Sequence, residues 1–117
     1  MGQCIAVVSG KGGTGKTSFT AGVGAALALS GLRVLCVDCD IGLRNLDIAL
    51  GLSDAALMDF SDVAQQRCTL ERAVVSHPQL AKLSLLTAPI RQRGQPVTGE
   101  QMASLLRAVR MQYDFCL

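Results

Sequence analysis

Tryptophan is absent from this sequence, which has one tyrosine and three phenylalanines. So few aromatic side chains exclude a base-stacking platform for single-stranded nucleic acid. Charge of one sign is scarce too: the formal net charge is +2 and the basic residues are scattered. No broad phosphate-neutralising face results, so nucleic acid is not an expected partner. No apolar run reaches the roughly 18 residues of a membrane span; the uncharged stretch Ser18 to Leu32 is shorter and holds three glycines. A secretory leader is excluded because Met1 to Gln3 has no basic residue and Gly10 to Lys16 interrupts any apolar segment. Position 6 is Ala6, where a myristoylation signal takes Ser or Thr. The five cysteines are an odd number beside no export signal, which predicts reduced thiols in a cytoplasm.

What is present is apolar: 50% of residues are hydrophobic and 17% charged. The usual charged share is about 25%, so a disordered chain is ruled out. The 117 residues suit one domain or part of a larger one. Cys4 to Ser9 reads as a buried strand and Lys16 to Ser30 as a helix, with Gly31 as its C′ stop. Arg33 to Asp38 is a second buried strand. Both strands are apolar without alternation, the pattern of a parallel sheet covered on both faces, and strand–helix–strand is a βαβ unit. Asp40 to Leu52 reads as loop. Asp59 to Gln66 and Leu70 to Ser76 read as short helices, and Leu83 to Thr87 as a third strand ended by Pro89. Thr98 and Gln101 have the spacing of a capping box. Met102, Leu105, Leu106 and Val109 then form one helix face that packs on the sheet. Tyr113 to Leu117 opens a further strand where the chain stops, which predicts a truncated protein or gene fragment. The expected fold is α/β, a doubly wound parallel sheet of about four strands over residues 1–117.

Gly10-Lys11-Gly12-Gly13-Thr14-Gly15-Lys16-Thr17 matches the phosphate-loop motif G-x-x-x-x-G-K-[ST] in full. It follows a predicted strand and opens a predicted helix, the context the motif requires. Glycines let successive N–H groups turn toward phosphate oxygens, and the helix start adds its positive dipole end. Lys16 reaches the β- and γ-phosphates, the Thr17 hydroxyl ligates Mg²⁺, and Ser18 contacts the α-phosphate. Gly10-x-Gly12-x-x-Gly15 also satisfies a dinucleotide fingerprint, with Asp38 ending the next strand. Lys16-Thr17 directly after the last glycine favours the phosphate loop, since a dinucleotide site needs neither.

Lys11 is a second lysine inside the loop. Lys-Gly-Gly-Thr-Gly-Lys-Thr resembles the deviant Walker A motif of the MinD and ParA ATPases. Asp38-Cys39-Asp40-Ile41-Gly42-Leu43-Arg44-Asn45-Leu46-Asp47 narrows the resemblance to the MinD type, ATPases of septum-site placement in bacterial division. The resemblance covers about the N-terminal half of that family's length. It implies a P-loop NTPase fold, ATP or ADP with Mg²⁺ as ligands, and ATP hydrolysis. Lys11 would cross to the nucleotide of a second copy, so that the ATP-bound form is a homodimer. Asp40 would position the attacking water, and Asp38 would sit near the Mg²⁺. MinC- and MinE-like regulators would be partners. The place would be the cytoplasm and, for the full-length family, the inner-membrane surface, reached through a C-terminal amphipathic helix that this sequence does not contain. The strand opening at Tyr113 resembles the one whose far end carries the Walker B aspartate. Two alternatives stand beside this reading: a ParA-like ATPase that partitions DNA, and a remnant that holds nucleotide without turnover.

Other signals have structural readings. Cys36-x-x-Cys39 has redox spacing but ends a strand, so buried inert thiols are expected; zinc would need Cys4 and Cys116 on adjoining strands. His77 reads as a solvated or core histidine, and Arg91 and Arg93 as solvated. Asp47, Asp54, Asp59 and Asp62 read as hydrophilic surface.

Overall fold

The computed structural model describes residues 2–6, 14–38, 58–88 and 96–117, with side chains for all of these except 14–18. The elements run β1 (Gln3–Cys4), α1 (Thr14–Leu29), β2 (Val34–Val37), α2 (Phe60–Ala64), α3 (Leu70–Ala73), β3 (Val75–Ser76), β4 (Leu83–Leu86), α4 (Gly99–Gln112) and β5 (Phe115–Cys116). They build one sheet in the order β1-β5-β2-β4-β3. β1, β5, β2 and β4 are parallel, and β3 runs antiparallel to β4.

Alternate residues of β2, β4 and β5 feed two cores. Leu35, Leu86 and Cys116 face α2, α3 and α4, where they meet Phe60, Leu70, Ala73, Leu105 and Val109. Val34, Cys36, Leu83, Leu85 and Leu117 face the other side and meet Ala28 of α1. Helices on both faces are the doubly wound arrangement that the unbroken apolar strands predict. β2 and β4 are its centre: Val34, Leu35, Cys36, Leu83, Leu85 and Leu86 are fully buried. Burying a leucine side chain contributes roughly 1.5–3 kcal/mol, so this pair is the firmest support available to whatever lies at the strand ends.

α1 ends at a glycine for a steric reason. Gly31 has φ 95°, in the left-handed region. Its N–H donates to Ala28 O at 3.0 Å and the Leu32 N–H to Leu27 O at 3.2 Å, the paired bonds of a Schellman motif. α4 starts as its sequence predicts: Thr98 accepts from the Gln101 N–H at 3.1 Å and the Gln101 side chain accepts from the Thr98 N–H at 2.9 Å. Its buried face is Leu105 and Val109, with Met102 and Leu106 packed beside them.

Four expectations change. The segment Leu70 to Ser76 is not one helix: Val74 is extended (ψ 136°), and Val75 and Ser76 pair with Leu85 and Ser84 as β3. The sheet therefore has five strands, one of them antiparallel, rather than about four parallel ones. Of the expected buried strand Cys4 to Ser9, Cys4 to Ala6 are exposed and Val7 to Ser9 fall outside the described residues; β1 is an edge strand among those described. Asp59 and Asp62 are not surface aspartates. They are buried and form a reciprocal capping box at the start of α2.

His77 has a turn role. Its Nδ1 accepts from the backbone N–H groups of Gln79 and Leu80 at 3.1 and 3.2 Å. No helix among the described residues is long and apolar enough to cross a membrane.

Candidate phosphate-binding edge

Because β1, β5, β2 and β4 are parallel, their carboxyl ends lie along one edge of the sheet. α1 follows β1 and therefore starts at that edge. Its first four residues are Thr14, Gly15, Lys16 and Thr17, the second half of the phosphate-loop motif. The N–H groups of a helix's first turn have no acceptor within the helix and carry the positive end of its dipole. No acidic residue stands in this turn to satisfy that end. An anion is the matching ligand, and the sequence context of the motif is present: strand before, helix after.

Asp38 closes β2 at the same edge. It is buried, and its backbone N–H donates to Leu86 O at 3.0 Å. The preceding Val37 N–H donates to Leu117 O, also at 3.0 Å. The carboxylate is thus carried by backbone bonds to both neighbouring strands. β5 separates β2 from β1, so Asp38 stands two strands over from the strand that leads into the loop.

Thr87 was not anticipated as part of this edge. It follows β4, is 1% exposed, and donates from Oγ1 to Met58 O at 3.2 Å; its own carbonyl accepts from the Phe60 N–H at 2.8 Å. It anchors the start of α2 to the strand ends. The one signal for it in sequence is a hydroxyl closing an apolar strand, which is too common to single out.

Of the residues the motif names, Thr14, Gly15, Lys16, Thr17 and Ser18 lie in the first turns of α1, and Asp38 lies at the end of β2. Gly10, Lys11, Gly12, Gly13 and Asp40 fall outside the described residues, as do Cys39, Asp47, Asp54, Arg91 and Arg93. No group of three or more His, Cys, Asp or Glu able to hold a metal occurs among the described residues. Cys36 faces the core under α1, and burial pushes its thiol up to about 12, so it stays protonated. That fits an inert thiol better than a redox centre.

The family profile "CobQ/CobB/MinD/ParA nucleotide binding domain" matches residues 5–114. The septum site-determining protein MinD of Synechocystis is 41% identical over 117 residues, covering 100% of this chain and 44% of that protein. The MinC:MinD cell division protein complex of Aquifex aeolicus superposes with a TM-score of 0.85 at 38% identity, over 98% of this chain and 46% of the other. MinD of Pyrococcus horikoshii complexed with Mg-ADP superposes at 0.76 and 32% identity, over 100% of this chain and 48% of that one. The chain thus spans less than half the length of these relatives.

Proposed function

The chain belongs to the CobQ/CobB/MinD/ParA nucleotide-binding domain family, and from that membership we propose that residues 1–117 are the N-terminal, phosphate-binding part of a MinD-type ATPase in division-site placement. The observation that carries this is the placement of Thr14 to Thr17 in the first turn of α1, at the sheet edge that also holds the Asp38 carboxylate.

ATP or ADP with Mg²⁺ fits that edge. The N–H groups of the first turn, which have no acceptor within the helix, suit phosphate oxygens, and a buried carboxylate two residues before Asp40 suits the metal side. Bound ATP with Mg²⁺ supplies the phosphoanhydride that is cleaved. Gly10 to Gly15 would turn their N–H groups toward the phosphates. Lys16 places its ammonium on the outer phosphates, Thr17 offers its hydroxyl to the metal, and Ser18 meets the inner phosphate. Asp38 holds the metal side from β2, and Asp40 orients the attacking water. Lys11 would serve the nucleotide of a second copy, so that nucleotide would favour a homodimer. A MinC-like regulator is the partner the Aquifex complex suggests, and a MinE-like regulator acts on the same dimer. The chain works in the cytoplasm, and the inner-membrane surface is reached by the full-length family.

The test is calorimetry of the 117-residue chain with Mg-ADP. The wild type binds, and Lys16→Ala removes the ammonium that neutralises phosphate and lowers affinity at least tenfold, about 1.4 kcal/mol. Equal affinity in the two proteins would take the loop out of the reading.

A further inference from the structure

β1 and β5 pair in parallel with Cys4 opposite Cys116. Residues in register on these strands share a face of the sheet. Leu35, opposite Cys116 on β2, lies in the same core as Cys116, and Val34 shares the other core with its register partner Phe115. Cys4 therefore looks to the same side as Cys116. Adjacent strands lie about 4.7–4.9 Å apart, inside the roughly 4.4–6.8 Å between Cα atoms that a disulfide bridges.

The two thiols differ in access. Cys4 is exposed, whereas Cys116 is 4% exposed and sits among Leu35, Leu105 and Val109. Cys36 lies on the opposite face, in the core under α1. Cys68 stands near the start of α3 and has no strand partner. Among the described cysteines, this is the one pair that the sheet register brings together.

We propose that Cys4 and Cys116 form a thiol latch that closes into an intramolecular disulfide when the chain meets a small disulfide oxidant such as oxidised glutathione. The Cys4 thiolate attacks one sulfur of the oxidant; an S–S bond to Cys4 forms, and one glutathione thiolate leaves. The Cys116 sulfur then attacks the Cys4 sulfur, giving up its proton. The Cys4–Cys116 bond forms, and the second glutathione leaves and takes up that proton. Two protein thiols are oxidised to one disulfide, and one glutathione disulfide is reduced to two thiols. The exposed residue opens the reaction and the buried one resolves it. Closure joins the strand that leads into the Gly10 loop to the strand beside β2, with the ladder unchanged. Small thiols reopen it.

The experiment treats the full 117-residue chain with oxidised glutathione, alkylates the remaining thiols, and reads intact mass and a peptide map. The wild type should lose the mass of two hydrogens and yield a Cys4–Cys116 cross-linked peptide. Cys116→Ser should stop at one glutathione on Cys4, and Cys4→Ser, a change at an exposed site, should give neither product. Cys36→Ser, Cys39→Ser and Cys68→Ser should each still close. The oxidised wild type should melt at a higher temperature than the reduced one, with the difference erased by dithiothreitol. Accumulation of the Cys4–glutathione adduct in the wild type as in Cys116→Ser would overturn the latch. So would a Cys4–Cys39 bond, or chains cross-linked in pairs through Cys4.

Discussion

Gly24 of α1 lies so close to Cys36 of β2 that a Cβ placed on the glycine would stand 2.8 Å from the cysteine sulfur. The same Cβ would meet Leu83 Cδ1 at 3.3 Å. The helix can sit this low on β2 because that position has no side chain. Gly22, on the solvent side of α1, has nothing within 4 Å of the same construction. Two alanine substitutions two residues apart should then have opposite signs. Gly24→Ala overpacks the core and should cost about 1–3 kcal/mol. Gly22→Ala removes helix-interior backbone freedom at no steric cost and should add about 0.5–1 kcal/mol. Urea unfolding of both variants checks this, and a Gly24→Ala protein as stable as wild type would show that the helix has room to rise.

A second expectation concerns Asp62. Its Oδ2 accepts from the Asp59 N–H at 3.0 Å and its Oδ1 from Arg67 Nε at 2.9 Å. The carboxylate is 5% exposed and the arginine 46%. Asp62→Ala leaves the Asp59 N–H without its acceptor and should cost about 1–3 kcal/mol. Arg67→Ala removes the more exposed partner, whose place water can take, and should cost about 1 kcal/mol or less. Thermal melts of the two variants give the order directly; equal losses would mean the ion pair, rather than the cap, is what holds α2.

Acid should act through Asp114. Its carboxylate accepts from the Arg33 N–H at 2.8 Å and faces the Arg33 guanidinium at 3.6 Å. The backbone bond from Arg33 is the main reason its pKa lies below the ordinary aspartate range. A pKa lower in the folded than in the unfolded chain means stability that is present above the unfolded value and lost as pH falls through the folded one. Wild type should therefore exceed Asp114→Asn in urea midpoint at pH 7, with the gap shrinking as pH falls below the unfolded aspartate value of about 3.9. A gap of constant size across that range would show that the interaction does not need the charge.

Asp38 carries the prediction for the metal. In the proposed site it stands on the Mg²⁺ side while the loop holds phosphate. Mg²⁺ should tighten ADP binding by the wild type, and Asp38→Asn should lose about tenfold of that gain. Binding measured with chelator present should change much less. A variant that loses affinity equally with and without Mg²⁺ would place Asp38 in the support of the loop instead.

Several of these features are legible in the residues alone, and the reasons differ. α4 is readable because Thr98, Gln101 and its apolar face all specify the same helix start and the same buried side. Gly31 is readable because a helix end in the left-handed region is a local steric demand. The phosphate loop is readable because its chemistry needs a fixed spacing of glycine, lysine and hydroxyl. β3 was hidden. Val75 and Ser76 become a strand only through β4, and no local preference records a partner that follows several residues later. The exposure of β1 was hidden for a similar reason, since an apolar run states that a strand is apolar but not its place in the strand order. Asp59 and Asp62 were misread by polarity. Their spacing, a cap acceptor followed three residues later by a second acceptor, was the available sign.

The β1–β5 pairing sets an order of events in synthesis. The Gly2 N–H donates to Arg110 O, and Arg110 Nε donates to Gly2 O at 2.9 Å across 108 residues of chain. The first strand to leave a ribosome therefore waits for the last one described. At about 5–20 residues per second that interval is roughly 5–20 seconds. β2 and β4 can meet well before then. For the whole of that time the apolar segment that includes Ile5 lacks β5, its strand neighbour among the described residues, which leaves it open to a chaperone and makes this pairing late to close.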